Sequence, residues 1–292
     1  MNSPCISVVM PVWNGEKYLG EALNSILNQS FTDFEAVIVD DGSTDTTPGI
    51  LSGFHDSRLR IFRIEHTGLV GALNFGVQQA RAQWIARHDA DDISHLRRFE
   101  RQWEALRNRK QAALSYTDTW IRSEEQVRRN PEHLPQTRAL LALKLCFVNP
   151  VAHSTAVFNK PAFHAVGGYY DERSEDYSLW GRLAERGDTV AVAEPLLTLR
   201  LHPGSDSKVH ALRNRESADQ IGLSHCTRFM RLPPEQAARA HRLLSSPSGR
   251  RPGGDWLWFL RHCVPRLRWQ SAELYGWLAS QTARNLLKSQ TV

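Results

Sequence analysis

The sequence predicts an α/β fold built on a mostly parallel β-sheet that is flanked by helices. In the first half of the chain, short apolar runs alternate with segments whose apolar residues recur at helical spacing. Strands separated by helices of this length form βαβ units, in which consecutive strands run parallel. The 292 residues are enough for one large domain, or for a domain with a smaller appendage.

The predicted elements of the first half follow in order from the N-terminus. Strands are predicted at Cys5–Met10, Phe34–Val39, Arg58–Ile64 (nearer an edge of the sheet), Trp84–His88 and Ala112–Tyr116. Helices are predicted from Tyr18 to Leu27 after a cap at Asn14, and over Gly71–Ala82. Ser94 is expected to cap a third helix, whose inward face carries Leu96, Phe99, Trp103 and Leu106.

The second half is less regular. Its helices are predicted at Thr137–Cys146 and Glu175–Arg186, and its extended segments at Ser154–Phe158 and Val190–Leu201. Everything after Ser207 is predicted to be helical, apart from a loop over residues 245–254. We therefore expect an α/β domain over residues 1–207 and a helical extension over residues 208–292.

Basic charge is concentrated in the predicted extension. Residues 210–292 hold 13 Lys or Arg and 5 Asp or Glu, a net charge of +8, whereas the rest of the chain carries −3. Four of the nine tryptophans lie in this segment, namely Trp256, Trp258, Trp269 and Trp277. The pattern is typical of a helix at a membrane interface. It is also typical of aromatic residues that dock helices on the rest of the protein or on a second copy. We favour this docking interpretation slightly over the membrane interface. No nucleic-acid-binding module accompanies the charge.

The cysteines and the hydropathy indicate a cytoplasmic protein, or one peripheral at the inner face of the membrane. The four cysteines have no CxxC spacing, so buried thiols are expected rather than disulfides or a zinc site. The run from Cys5 to Trp13 is short, contains a proline and has no basic region before it, so we expect no secretory signal. No segment approaches the roughly 18 apolar residues of a membrane span.

Acidic residues follow two of the predicted strands. Asp40-Asp41 ends the second strand, and Asp89-Ala90-Asp91-Asp92 ends the fourth. Ligands of parallel sheets bind outside the carboxyl ends of the strands, so both clusters lie where a site is expected. Crowded carboxylates need a cation or hydrogen-bond donors, and Mn²⁺ or Mg²⁺ suits such oxygen ligands together with substrate phosphates. For Asp92, helix capping is the alternative interpretation.

These motifs closely resemble those of the family 2 glycosyltransferases, which have the GT-A fold. The resemblance is carried by VVMPVWNGEKYLGEALNSILNQSFTDFEAVIVDDGSTDTT, GLVGALNFGVQQARAQWIARHDADDIS, NPVAHSTAVF, GGYYDERSEDYSLWGRLAERG and LTLRLHPGSDS. The resemblance implies an inverting, metal-dependent transferase that uses Mn²⁺ or Mg²⁺. Its donor would be a nucleotide-sugar, UDP-linked by expectation, and its acceptor a glycan or lipid-linked hydroxyl in bacterial surface polysaccharide or lipopolysaccharide synthesis.

The resemblance also implies donor-binding residues. Pro11, Val12 and Trp13 match the segment that packs against the nucleobase, and Trp13 can stack on it. Asp41 matches the carboxylate that accepts a hydrogen bond from the imide N–H of the base, with Asp40 beside it. Asn74 belongs to the segment that approaches the donor closely.

The resemblance places the metal and the diphosphate at the second acidic cluster. Asp89-Ala90-Asp91 matches the DxD motif, in which the last carboxylate binds the divalent metal. His202 resembles a histidine that joins the metal or the diphosphate, and Arg200 is expected to contact the diphosphate. Leu73 stands where many relatives carry an arginine, so phosphate contacts are expected to shift to Arg87 or Arg200.

Asp176 matches the catalytic base of the family. A carboxylate within hydrogen-bond reach of the acceptor hydroxyl can take its proton as the hydroxyl attacks. Without the surrounding EDYSLW motif, an acidic residue in the first turn of a helix would be explained by the helix dipole alone.

Two other functions of the whole protein are considered, a sugar-phosphate nucleotidyltransferase and a non-catalytic scaffold that binds nucleotide-sugars.

Overall fold

The structure, a computed structural model, describes residues 3–130, 134–205, 211–245, 253–267 and 269–289. The chain groups into two compact units, one formed by residues 1–134 and 151–210, the other by residues 135–150 and 211–292. All strands of the described residues belong to the first unit, and the second unit is helical where it is described. The predicted loop at residues 245–254 falls largely outside the described residues.

One β-sheet organises the first unit. Its strands are β1 Ile6–Val12, β2 Phe34–Asp40, β3 Leu59–Arg63, β4 Trp84–Arg87, β5 Ile93–Ser94, β6 Ala112–Arg122, β7 Val127–Arg129, β8 Val157–Asn159 and β9 Asp188–Arg200. Within the described chain, the order across the sheet is β3-β2-β1-β4-β8-β6-β9-β5, with β7 paired to β6. The longer pairings, β1–β2, β1–β4, β2–β3 and β6–β9, are parallel, and the short pairings are antiparallel. The predicted α/β fold with a mostly parallel sheet is confirmed.

Helices connect and cover the strands. Those of the first unit are α1 Leu19–Leu27, α2 Thr47–Ser52, α3 Gly68–Gln79, α4 Arg98–Leu106, α6 Lys160–Ala165 and α7 Glu175–Arg186. Those of the second unit are α5 Arg138–Lys144, α8 Ala211–Met230, α9 Pro234–Leu244, α10 Gly253–His262 and α11 Ala272–Ser289. Every residue of β1 and β2 is buried, which explains why both strands are mostly apolar in the sequence; the polar exceptions are Ser7, Glu35 and Asp40.

Helix α3 lies close to the central strands because Gly76 has no side chain. A Cβ atom on Gly76 would lie 2.6 Å from Val9 Cγ1 and 3.2 Å from Val39 Cγ2, closer than side chains pack. The helix is thereby brought against β1 and β2, and its first turn lies beside the carboxyl end of β2. The glycine therefore helps to fix the position of the site described below.

Several element boundaries differ from the prediction: α3 spans Gly68–Gln79 rather than Gly71–Ala82, and β6 extends to Arg122 rather than ending at Tyr116. At three further places the structure shows the reason. β1 continues through Pro11 to Val12. Proline has no N–H to donate, but β4 pairs with β1 only as far as Val9, so Pro11 interrupts no hydrogen bonds between β1 and β4. Asn14 does not cap α1, since its φ is +51° and its Oδ1 accepts from Thr44 N at 2.8 Å. Ser94 does not cap α4 because it pairs with Leu197 in the sheet.

The segment of residues 135–150 belongs to the helical unit, which the predicted division at residue 207 did not anticipate. Thr137 caps α5, and its hydroxyl also contacts Ser271 Oγ at 3.0 Å and donates to Glu273 Oε2 at 2.7 Å. These partners lie more than 130 residues away along the chain, so no local pattern indicated them.

The tryptophans of the helical unit contact neighbours within that unit. The pairs are Trp256 with Thr282, Trp258 with Arg239, Trp269 with Phe229 and Arg138, and Trp277 with Phe147. In the described parts of the chain, we find no helix with the length and apolar character needed to span a bilayer.

Candidate active site

The predicted site residues converge at one edge of the sheet. Trp13 follows β1, Asp41 follows β2 and Asp89 follows β4, and these three strands are neighbours in the order β2-β1-β4. Parallel strands present their carboxyl ends at the same edge, so the topology brings the two acidic clusters together. Arg200, the last residue of β9, and His202, two residues later, lie beside the second cluster.

Asp41 and Trp13 are joined by His66. Both carboxylate oxygens of Asp41 accept from the start of α3: Oδ1 from Thr67 N at 2.7 Å, and Oδ2 from Gly68 N at 2.9 Å. His66 Nδ1 also lies 2.9 Å from Asp41 Oδ2, and its ring stacks on Trp13 with the centroids 4.7 Å apart. Trp13 is 56% exposed, whereas the side chain of Asp41 is buried. The predicted base-binding pair is therefore adjacent, but a histidine that the sequence did not single out bridges it.

The other residues predicted near the nucleobase are buried. Asp40 Oδ1 accepts from Ser43 N at 2.9 Å, and Asp40 Oδ2 lies 3.6 Å from Arg63 Nη1, so Asp40 holds the turn after β2. Pro11 and Val12 are buried in β1, where Val12 O accepts from Asp41 N at 2.9 Å. These three residues support the edge of the sheet, and Trp13 is the exposed member of the group.

Asp89 is held by a buried arginine and a serine. Arg87 Nη2 donates to Asp89 Oδ1, and Ser154 Oγ donates to Asp89 Oδ2 at 2.6 Å. Burial alone would raise the pKa of Asp89, but the Arg87 guanidinium and then His153 hold that pKa well below its usual value. Arg87 is 1% exposed, and its guanidinium donates to Asp89. It is therefore not positioned to take over the phosphate contacts of the arginine that many relatives carry in place of Leu73.

Asp91 and His202 form the most metal-like pair of the site. His202 Nε2 lies 3.0 Å from Asp91 Oδ2, and the Asp91 side chain is 32% exposed. Burial and then the Asp89 carboxylate raise the pKa of Asp91, so its negative charge is unfavourable without a further cation. Ala90, between the two aspartates, is half-buried against the core, which fixes their spacing.

Arg200 is fixed beside this pair. Its Nε donates to Asp91 O at 2.9 Å, its Nη2 donates to Glu21 Oε2 at 2.5 Å, and its guanidinium carbon lies 4.4 Å from the centre of the Tyr18 ring. The Tyr18 ring also lies 4.8 Å from the His202 ring. Asp92 Oδ1 accepts from Arg200 N at 3.0 Å; because α4 begins at Arg98, Asp92 does not cap that helix.

Asn74 contacts the protein backbone rather than open space. Its Nδ2 donates to Tyr169 O at 3.0 Å, and its Oδ1 accepts from Tyr169 N at 3.1 Å. The Tyr169 hydroxyl in turn lies 2.9 Å from His153 Nε2, and His153 Nδ1 lies 3.5 Å from Glu175 Oε1. Asn74 therefore positions a buried chain of polar groups that ends at the first residue of α7.

Asp176 lies in the first turn of α7 and is half-buried. The helix follows Ser174, whose φ of +60° is unusual for a residue other than glycine and places the two acidic residues at the turn. Burial and then the Asp176 carboxylate raise the pKa of the neighbouring Glu175 to about 8. The raised pKa favours the protonated form of Glu175, and Asp176 is the more exposed carboxyl group of the two, which makes Asp176 the better candidate for a base.

Replacing Glu175 by glutamine is expected to change how stability depends on pH. The pKa of Glu175 is about 8 in the folded protein and near 4.5 when unfolded, so the folded state binds more protons between these values. Wild-type stability should therefore fall as pH rises from 5 to 8, and Glu175→Gln should flatten this fall. Urea unfolding at several pH values measures the difference. Parallel curves for the two proteins would show that Glu175 titrates normally.

Sequence patterns missed several residues of this site. Ser154 and Tyr169 lie in segments that resemble the family, and His66 lies two residues before one, but nothing in their type or spacing assigned them a partner. The neighbouring His153 is buried, and burial and then Arg87 hold its pKa well below the usual value. A polar residue inside an apolar strand is a signal that indicates Arg87 in β4, but His66, Ser154 and Tyr169 lie outside the strands and carry no such signal.

This sheet order, with carboxylates at the edge of the sheet, is that of the GT-A fold of glycosyltransferases that use nucleotide-sugars. Solved structures of GT-A glycosyltransferases superpose on this chain. TarS residues 1–349 from S. aureus, in complex with UDP-GlcNAc, superpose with a TM-score of 0.64 at 16% identity over 89% of this chain and 79% of that chain. The mannosyltransferase PcManGT of Pyrobaculum calidifontis, in complex with GDP-Man and Mn²⁺, gives 0.56 at 16% identity over 98% and 88%.

The chain belongs to glycosyl transferase family 2, whose model matches residues 7–167, more than half of its length. The O-antigen biosynthesis glycosyltransferase WbnJ of Escherichia coli is 32% identical over 219 residues, which are 70% of this chain and 82% of that protein. The protein is therefore a glycosyltransferase, and neither the nucleotidyltransferase nor the non-catalytic scaffold is needed to explain it.

Proposed function

We propose that this protein is an inverting, metal-dependent glycosyltransferase that moves a sugar from a UDP-linked donor to a hydroxyl of a glycan or lipid-linked acceptor. The observation that carries the proposal is the contact between Asp91 and His202 beside the Asp89 carboxylate. The pathway we propose is bacterial surface polysaccharide synthesis, which the O-antigen biosynthesis role of WbnJ supports. A membrane or self-association role of residues 208–292 stays a prediction.

The residues present fit a divalent metal. In the described residues, no three His, Cys, Asp or Glu side chains are arranged to hold a metal ion. Asp91 and His202 together offer one carboxylate and one imidazole, and Mn²⁺ or Mg²⁺ commonly takes one or two protein ligands and completes its shell with phosphates and water. A bound cation would stabilise the charge that grows on the leaving diphosphate.

The chain's own residues prepare the donor side. Arg87 and Ser154 hold Asp89 ionised and in one orientation. The carboxylate that follows β4 therefore stays negatively charged when no nucleotide-sugar is bound. Arg200 is anchored by Glu21 and by the Asp91 carbonyl, which fixes a guanidinium next to the predicted diphosphate position. The Trp13 ring, which is 56% exposed, provides a surface on which a nucleobase can stack.

The acceptor side depends on Asp176. Asp176 is more exposed than the buried Glu175, so it is the carboxylate of the pair that an acceptor hydroxyl can reach. A single base that activates the acceptor for direct attack leads to one displacement, which inverts the configuration at the anomeric carbon. The anomeric configuration of the product, measured by NMR, tests this step; a product with the configuration of the donor would contradict it.

Donor and metal are expected to stabilise the protein together. A ligand present at 100 times its dissociation constant adds about 2.7 kcal/mol to the free energy of unfolding. We therefore expect UDP to raise the thermal midpoint more with Mn²⁺ than with EDTA, and Asp91→Asn to remove the metal-dependent part. Asp33→Asn, an exposed aspartate before β2, is the matched control. Equal stabilisation with and without metal would contradict the proposed metal role.

A further inference from the structure

His66 makes, within the protein itself, the two contacts expected of a nucleobase. Its aromatic ring stacks on Trp13 at a centroid distance of 4.7 Å and an angle of 26° between the planes. Its Nδ1 lies 2.9 Å from Asp41 Oδ2 and 3.0 Å from the Asp41 carbonyl oxygen. Both neighbours are acceptors, so Nδ1 carries the hydrogen and donates it, as the imide N–H of a base would.

Asp41 has no capacity left for another donor while His66 is in place. A carboxylate offers about four lone-pair positions. Oδ1 accepts from the amide and the hydroxyl of Thr67, at 2.7 and 3.1 Å, and Oδ2 accepts from Gly68 N and His66 Nδ1, both at 2.9 Å. A base that donates to Asp41 must therefore displace one of these four groups.

Among the four donors, the His66 side chain is the one whose departure uncovers the Trp13 ring and leaves the start of α3 intact. Two of the others are the backbone amides of Thr67 and Gly68 at the start of α3, and the third, the Thr67 hydroxyl, packs so closely on Gly71 that a Cβ there would lie 2.4 Å from Oγ1. The backbone at residue 66 also packs closely on the turn after β2, since a Cβ on Gly42, whose φ is +73°, would lie 3.0 Å from His66 N. The His66 side chain, by contrast, is 53% exposed and can rotate into solvent.

We propose that His66 occupies the nucleobase subsite of the unliganded protein, and that the nucleotide of the donor binds by displacing it. This inference rests on the proposed function, since it assumes that the nucleotide binds at Trp13 and Asp41. A base with a ring N–H, such as uracil, thymine or guanine, restores the donor that Asp41 loses when His66 rotates away. Cytosine and adenine have no such ring N–H and leave Asp41 with one donor fewer, so they bind more weakly.

The test compares the wild type with His66→Ala by calorimetric titration with UDP and CDP. Displacement lowers the apparent affinity by the fraction of molecules in which the subsite is open. His66→Ala should therefore bind UDP about three- to tenfold more tightly than the wild type. Because His66 competes equally with both bases, CDP affinity should rise by the same factor, and the preference for UDP should not change. His55→Ala, an exposed histidine before β3, should bind both as the wild type does.

Other outcomes separate this inference from the proposed function. Weaker or unchanged UDP binding by His66→Ala would overturn the inference alone, as would a loss of the preference for UDP over CDP, since either result makes His66 part of the bound site. Trp13→Ala should weaken UDP binding by about tenfold or more if the base stacks there. If neither the wild type nor any variant binds UDP, GDP or dTDP, the proposed donor class fails, and this inference fails with it.

Discussion

Asp176→Asn is expected to reduce sugar transfer by about 10²–10⁴-fold while leaving UDP affinity unchanged, because the amide cannot accept the acceptor proton. The substitution keeps the size of the side chain at the start of α7. It also leaves Trp13, Asp91 and His202, the proposed donor-binding residues, untouched. Transfer rates with a saturating donor, together with calorimetric titration of UDP, measure both effects.

Two variants serve as controls for this result. Asp188→Asn changes an exposed aspartate at the start of β9 and should retain wild-type activity. Glu175→Gln replaces a group that already keeps its proton, so its activity should fall far less than that of Asp176→Asn. If Asp176→Asn kept full turnover, or if Glu175→Gln caused the larger loss, the base would have to be assigned elsewhere.

Arg87→Met is expected to destabilise the fold by about 1–3 kcal/mol, because it leaves the Asp89 carboxylate, whose side chain is 35% exposed, without its charged partner. Arg87 is fully buried beside Asp89, and its Nε and Nη1 have no hydrogen-bond partner among the described residues, so the Asp89 carboxylate is its main compensation. The free energy of unfolding from urea titration measures the loss.

The double variant Arg87→Met with Asp89→Asn makes this prediction specific. Removing both charges avoids the unpaired carboxylate, so the double variant should be more stable than Arg87→Met alone. Arg97→Met changes an exposed arginine paired to Glu100 on the surface and should shift stability by less than about 1 kcal/mol. Equal destabilisation by the single and the double variant would show that the pair is not coupled.

Most of the sheet could be predicted because burial on both faces leaves a clear record in the sequence. β1 and β2 are apolar at nearly every position, and α7 was predicted with its observed bounds, Glu175–Arg186. The predictions were wrong where a residue forms backbone hydrogen bonds with a strand that is distant in the sequence, because the local sequence pattern does not show that strand. Ser94 has the chemistry of a helix cap, but its pairing with Leu197 keeps it in the sheet.

The positions of the candidate site residues could be predicted better than their partners. The edge of the sheet follows from strand order, so Trp13, Asp41 and Asp89 were placed correctly relative to their strands. Side-chain contacts across long stretches of chain leave no periodic signal. The contact between His66 and Asp41 spans 25 residues, and that between Ser154 and Asp89 spans 65. Only the folded chain shows that these pairs share hydrogen bonds.

The discontinuity of the helical unit has a consequence for synthesis on the ribosome. Helix α5 buries Leu140, Leu141 and Leu143, and it contacts α8 and α11, which are made later. About 60 residues separate the segment of residues 135–150 from Ala211. At about 5–20 residues per second, several seconds pass before its first partner helix begins to emerge. During that interval the leucines of α5 are without those partners, so the nascent chain should depend on chaperone holding and should be sensitive to pausing within residues 151–210.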